Sequence, residues 1–374
     1  MNFDLSNEQA LYRDTISNFL ADRCSVQKRT LYLGQQCGYD LSNWTGLAEL
    51  GVLALPFSTD LGGLGGTAKE VAIIQEEIGY HLALEPFAQN VAIPAVALNW
   101  FDDRNLARSL AGGMISGRRT VAVAITGDGE NQYCDTARFR ASSNEEGLIL
   151  VGTKSFVTYP SADLFLVSAA PEDEGGQLPA VLLLVPADAP GVGINNHRLI
   201  DGTPAADIEF DNVQLAAGSI VVSQNASDAI AGIYRTGAHA AVAECLGILR
   251  RMVDLTVEHT NNRIQFGKPL AANQVVRHRL AEMVMHYELA QSVVAGLGLY
   301  AVETKQAISQ LSAAKVTMAD AFGFIGKQSI QLHGAIGLTD EYELSHCYKR
   351  ALVLLESYGN KRSHALKLAQ LEAT

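Results

Sequence analysis

The spacing of hydrophobic residues changes twice along this chain, and that change limits the fold more than any other feature. Over residues 1–117 apolar positions recur every three or four residues, the period of an amphipathic helix. EQALYRDTISNFLADR begins just after Asn7, NWTGLAELGVLAL stops at Pro56, and KEVAIIQEEIGYHL leads to an alanine-rich stretch after Pro86. Over 118–218 the runs shorten: TVAVAIT, LILVGTKSFVT, LFLVSAA and AVLLLVP are divided by TGDGEN and PEDEGGQ. These runs read as strands, and no helical pattern separates them, so an antiparallel β domain is expected instead of βαβ units. Over 222–374 the helical period returns. One stretch runs from about Ala226 to Asn262, NQVVRHRLAEMVMHYELAQSVVAGLGLYAVE follows, and ISQLSAAKVTMADAFGFIGKQSIQLHG ends at Gly334 before a shorter closing helix. Long helices with short connections predict a bundle. The chain is thus expected to be α+β in three domains, 1–117, 118–218 and 222–374.

Bulk properties narrow the function. At 374 residues the chain exceeds one comfortable core. Hydrophobic residues at 48% and charged ones at 18% describe a folded globular protein. A net charge of −12 argues against a nucleic-acid partner, which needs a basic face. No run of about 18 apolar residues is present to span a membrane. The start, MNFDLSNEQALYRD, lacks a signal-peptide apolar core. Cys24, Cys37, Cys134, Cys245 and Cys347 are scattered without a CxxC. That pattern fits reduced thiols, a cytoplasmic location and no structural zinc.

Individual motifs are ambiguous alone. GGLGG (62–66) follows a helix and a proline turn instead of a strand, so an interhelical loop is expected, not a dinucleotide loop. His278, Glu282 and His286 share a helix face, but no matching carboxylate–histidine pair stands on another helix, so no metal is expected. No G-x-S-x-G elbow supports a hydrolase. In NNRIQFGKPL (261–270), Arg263 stands at a helix end, where the dipole favours a cation; arginine is also a bidentate phosphate reader, and Phe266 could flank a flat base. In QLHGAIGLTDEYELSHCYKRA (331–351) the glycines would let backbone amides approach an anion, or would simply cap a helix.

Taken together these stretches resemble the acyl-CoA dehydrogenase family. Arg263-x-Gln265-Phe266-Gly267, with Asn273-Gln274 and Leu280-Ala281-x-Met283, is similar to its signature helix and turn, and QLHGAIG with LTDEYEL resembles its second flavin motif. LAELGVLALPFSTDLGGLGG and EEIGYHLALEP resemble its opening domain, so the likeness covers almost the whole chain. The resemblance implies an N-terminal helical domain, a middle antiparallel β-barrel and a C-terminal four-helix bundle. It also implies FAD, an acyl-CoA substrate, an electron-transfer flavoprotein or similar acceptor, and a tetramer of like or unlike chains. Carried over by motif, Arg263, Gln265, Phe266, Gln331, Gly334 and Ala335 would hold the pyrophosphate and adenine end of a neighbouring subunit's FAD. Ala335 replaces a usual glycine. In the β domain the family's T-E-P-x-x-G-S-D run corresponds to Thr126-Gly127-Asp128-Gly129, where only Thr126 is kept. Its K-x-W-I-T corresponds to Lys154-Ser155-Phe156-Val157-Thr158, so Phe156 would face the flavin ring and Thr158 would bond it.

The family's catalytic glutamate is missing. One family position for it falls on Tyr358, whose phenol, with a pKa of about 10, is a poor base at neutral pH. The other falls on Gly237. Glu244 and Glu356 are the nearest carboxylates, and the catalytic residue is left unassigned. A kept trans clamp, a worn cis half and no base resemble the base-lacking subunit of bacterial heteromeric acyl-CoA dehydrogenases, including those of steroid side-chain degradation. The alternatives are a self-sufficient homomeric dehydrogenase with a relocated base, or a flavin-free acyl-CoA-binding or assembly protein.

Overall fold

The computed structural model describes residues 5–125, 137–141, 147–172, 181–297 and 304–372. Helices α1 (Asn7–Ala21), α2 (Val26–Leu33), α3 (Leu41–Glu49), α4 (Ala68–Tyr80), α5 (Ile93–Leu98) and α6 (Arg104–Ile115) come first. Strands β1 (Val121–Ala124), β2 (Arg138–Ala141), β3 (Gly147–Thr158), β4 (Leu164–Pro171), β5 (Val181–Pro186), β6 (Val192–Arg198), β7 (Pro204–Ala216) and β8 (Ile220–Val222) follow. Then come α7 (Ala226–Asn262), a small hairpin of β9 (Ile264–Gln265) and β10 (Lys268–Pro269), α8 (Gln274–Ala295), α9 (Lys305–His333), α10 (Glu343–Glu356) and α11 (Lys361–Glu372). The helix–sheet–helix order matches the change of period read from the sequence. Two compact units form, one from Met1–Leu31, Ala68–Leu84 and Ala238–Thr374, the other from Tyr32–Thr67 and Glu85–Gly237.

The second unit corrects the expected barrel. Its sheet runs β6-β7-β3-β2-β4-β5-β8, with β1 also on β4, and it is mixed. β1 lies parallel to β4 from Leu164 to Val167, and β2 lies parallel to the same strand at Ala170 and Pro171. Two short strands in line thus share one edge of β4, while β3–β7, β6–β7, β4–β5 and β5–β8 are antiparallel. The path ends at β6 and β8, which do not pair with each other among the described residues, so it is not a closed antiparallel barrel. Short connections fixed which segments are strands but not which become neighbours. Phe165, Val167, Leu183, Val185, Ile208 and Phe210 fill this unit's core. GGLGG lies in this unit as a tight loop: a Cβ on Gly63 would fall 2.2 Å from the Phe57 carbonyl oxygen, and one on Gly66 2.5 Å from Leu55 Cγ.

In the first unit, α7 from Ala238 onward, α8, α9 and α10 share one apolar core, with Leu249, Met252, Met283, Met318, Ile325, Leu344 and Cys347 all buried. α1 starts with a capping box, Ser6 with Gln9, and Gln9 Nε2 donates to Glu70 Oε1 on α4 at 2.6 Å. α4 crosses α7 backbone to backbone. A Cβ on Gly79 would lie 2.0 Å from the Glu244 carbonyl oxygen, and one on Gly247 1.9 Å from that of Glu76. Only glycine at both positions permits that approach. Arg250 then clips the crossing to Glu76 at 2.9 Å and to Glu77 at 2.7 Å, while Arg251 forks onto Glu343 through two 2.7 Å bonds.

Candidate flavin site

α7 ends in the hairpin that carries R-x-Q-F-G. Gln265 pairs with Lys268 and Ile264 with Pro269, leaving Phe266 (φ 52°) and Gly267 (φ 78°) as the two turn residues. A two-residue hairpin turn of this hand needs positive φ at both positions, which glycine supplies freely and phenylalanine does not. Phe266 is nonetheless there, and its side chain is 100% exposed. Arg263 and Gln265 are also exposed. The Arg263 amide closes the helix on the His259 carbonyl at 2.8 Å. Its guanidinium has no hydrogen-bonding acceptor or ion-pair partner among the described residues, so its donors are free for an anion.

The second motif ends α9. Gln331, Gly334, Ala335 and Ile336 are exposed. Gly334 sits at φ 69°, ψ −146°, a conformation open only to glycine, and its N–H donates to the Ile330 carbonyl. Ala335 lies in a short 3-10 turn without positive φ, so the methyl that replaces the usual glycine hydrogen introduces no backbone strain. The two motifs are brought together through their roots: the ring of His259, one turn before Arg263, stacks on that of His333, next to Gly334, with centroids 4.3 Å apart.

In the β unit, Phe156 sits at a bulge of β3 with φ 56° and is 67% exposed. Its amide donates to Asp207 Oδ1 at 3.1 Å, and its ring meets the His197 ring edge-on at 5.9 Å. Thr158 closes β3 opposite Ala205 and is half-buried. Thr126, expected to contact the flavin, lies outside the described residues.

The segment around Tyr358, where the resemblance would put the base, is held by several backbone contacts. Tyr358 has φ 55° and is half-buried, and burial pushes its phenol up to about 12. It is therefore protonated at neutral pH and cannot accept an α-proton. Lys315, buried on α9, was not singled out from the sequence. Its Nζ donates to the carbonyls of Leu354 and Leu355 at 3.1 Å and of Ser357 at 2.7 Å, and burial pushes the ammonium down to about 8. His364 Nε2 meets the Tyr358 carbonyl at 3.0 Å, so backbone contacts grip both sides of the loop. Only its tertiary neighbours reveal Lys315; as one polar residue on a long helix it carried no sequence signal.

The other carboxylates are engaged elsewhere. Glu244 is buried and accepts from Arg350 Nε at 2.6 Å. Glu356 is exposed and accepts from Asn360 Nδ2 at 3.3 Å. Of the helical trio on α8, His278 and Glu282 are exposed and His286 stacks on Phe324 at 4.3 Å; no group of three or more potential ligands gathers among the described residues.

Two family models match this chain: the acyl-CoA dehydrogenase N-terminal domain over residues 6–99 and the acyl-CoA dehydrogenase C-terminal domain over 235–370. The probable acyl-CoA dehydrogenase YngJ of Bacillus subtilis is 23% identical, covering 99% of each chain. Among solved structures, the ChsE4-ChsE5 complex from Mycobacterium tuberculosis shares the fold at a TM-score of 0.89 and 21% identity, over 100% of this chain and 99% of that one. A Tcur3481-Tcur3483 steroid ACAD variant does so at 0.85 and 23%, over 98% of each. The chain belongs to the acyl-CoA dehydrogenase family. Its members are FAD-dependent oxidoreductases, and the donor set at the clamp fits that cofactor: an unengaged guanidinium suits a pyrophosphate, and an exposed ring suits a flat base. No helix among the described residues is long and apolar enough to cross a membrane.

Proposed function

We propose that this chain is the FAD-completing subunit of a heteromeric acyl-CoA dehydrogenase acting on an acyl-CoA thioester. The carrying observation is the pairing of an open clamp with a disabled base: Arg263 and Phe266 are presented to solvent, while the base positions hold a protonated phenol, Tyr358, and a glycine, Gly237. When bound, FAD supplies a hydride acceptor for the substrate β-carbon. Arg263 would hold its pyrophosphate, Phe266 would lie against its adenine, and Gln265, Gln331 and the backbone at Gly334 and Ala335 would complete the contact. Phe156, Thr158 and Thr126 would form what is left of the chain's own isoalloxazine side. The α-proton would leave to a carboxylate of the other subunit.

Three further observations support assembly. Phe266, Ile264, Ile336 and Leu338 are exposed around the clamp, and Val275, Met285 and Leu289 expose an apolar strip on α8. Such patches on a folded surface mark contacts with other chains. The ChsE4-ChsE5 structure, a complex of two differently named proteins, supports unlike partners. An electron-transfer flavoprotein or similar acceptor would reoxidise the cofactor. A self-sufficient enzyme using Glu244 is disfavoured by that carboxylate's buried bond to Arg350.

The test is turnover by the purified chain, supplied with FAD, an acyl-CoA and an electron acceptor, alone and with candidate partner chains. Losing a general base removes about 10²–10⁴ in rate. Robust dehydrogenation by the chain alone would reject the reading.

A further inference from the structure

The two flavin-motif strips of this chain are far apart in sequence, and what joins them is a pair of imidazoles. His259 on α7 and His333 at the end of α9 stack with centroids 4.3 Å apart and planes 27° from parallel. His333 Nδ1 lies 2.8 Å from the Ser329 carbonyl oxygen, which can only accept, so Nδ1 carries the hydrogen of the neutral ring. Nε2 is then the acceptor for the Tyr342 hydroxyl, 3.2 Å away. A Cβ on Gly337 would fall 3.0 Å from His333 Cβ and 3.1 Å from Leu344 Cδ2, so the turn after Gly334 folds back onto the same side chain. One imidazole therefore touches α9, the turn beyond it, the residue before α10 and, through its stack, α7.

We propose that His259 and His333 are positioning residues that hold the hairpin 263–267 and the turn 331–335 in register as a single flavin-contacting surface. Neither ring needs to touch the cofactor. Arg263 follows His259 by one helical turn and Gly334 follows His333 directly, so a change in the separation of the rings is passed to both strips. His333 is buried, and its polar atoms meet the Ser329 carbonyl oxygen and the Tyr342 hydroxyl, which fixes the plane that His259 stacks on.

This inference rests on the flavin reading of the clamp, and the test separates the two. FAD affinity is measured by fluorescence for the full chain in the assembly isolated with it, comparing wild type, Arg263→Ala, His259→Ala and His259→Phe. Amide hydrogen exchange is followed in the same proteins across 263–270 and 331–342. Aromatic pairing of this kind is worth about a two- to tenfold change in an equilibrium. His259→Ala is expected to weaken FAD binding and to speed exchange in both strips by that factor, with α11 unchanged. His259→Phe, which keeps a stackable ring, is expected to return both readouts to within about twofold of wild type. If Arg263→Ala weakens FAD binding and His259→Ala does not, the positioning role is overturned and the flavin reading stands. Faster exchange in only one strip, or a phenylalanine as damaging as alanine, also overturns it. Unchanged affinity in Arg263→Ala would remove the flavin reading, and the inference with it.

Discussion

Arg350 donates through Nε to Glu244 Oε1 at 2.6 Å, with the two side chains only 9% and 4% exposed. Removing Arg350 takes the charged donor away from the buried Glu244 carboxylate, a loss of about 3–5 kcal/mol. Arg350→Met should therefore lower the unfolding free energy by that order in chemical denaturation, and a second substitution, Glu244→Leu, should recover much of it. A Glu244→Gln variant that loses dehydrogenation but keeps its stability would instead make Glu244 the relocated base.

Two helix glycines, Gly247 at the α4–α7 crossing and Gly323 on α9, give predictions of opposite sign. On Gly247 a methyl would stand 1.9 Å from the Glu76 carbonyl oxygen, which is backbone and cannot move aside cheaply. Gly247→Ala should cost about 1–3 kcal/mol or more as the helices separate. Gly323, exposed on α9, has nothing within 4 Å of an added Cβ. Gly323→Ala should stabilise by up to about 1 kcal/mol, from helix propensity alone. Thermal melts of both variants check the pair.

Acid should weaken this fold through its histidines. Burial holds His81, His239, His259, His333, His346 and His364 below the ordinary imidazole value of 6.5. For His239 it does so down to about 4. The unfolded chain takes up protons near 6.5 while the folded chain resists, so stability falls as pH drops through that value, and for His239 the loss is complete near 4. The urea midpoint should fall between pH 7 and pH 4.5, and less steeply in His239→Leu. Parallel curves for the two proteins would contradict this.

Placing a carboxylate at Tyr358 should not be sufficient for chemistry. The loop is already fixed by Lys315 and His364, so Tyr358→Glu presents a base at the family's position. Yet in the sequence TGDG (126–129) keeps only the threonine of the usual flavin-ring motif. Stopped-flow mixing of the FAD-reconstituted variant with acyl-CoA should show no flavin bleaching. Bleaching would mean that the ring still docks on this chain's own β unit.

Helices were legible because each buries one face, and the 3.6-residue period marks it directly. The strands were legible as segments, since TVAVAIT, LILVGTKSFVT, LFLVSAA and AVLLLVP became β1, β3, β4 and β5. Their pairing was not. β4 bonds β1, β2 and β5, two of them in parallel, and no local pattern records which strand crosses to which edge. At the site, Arg263 and Phe266 stood out as a motif, whereas His259, Lys315 and Tyr342 matter through partners distant in sequence. A single imidazole or ammonium on a helix has no sequence signature for the ring or carbonyl it will meet.

The hairpin tip has one more consequence. Phe266 is held with φ at 52°, and its ring is wholly exposed. A left-handed phenylalanine costs about 1–2 kcal/mol over glycine, so the folded chain carries a conformation that stability alone would select against. Because that shape exists before any encounter, association freezes little further motion, and its speed is governed by collision and orientation, not by a search among loop shapes. The same rigidity leaves a bare aromatic hook on every unassembled copy. Cells making this chain in excess of whatever covers Phe266 would therefore be expected to accumulate it in aggregates first.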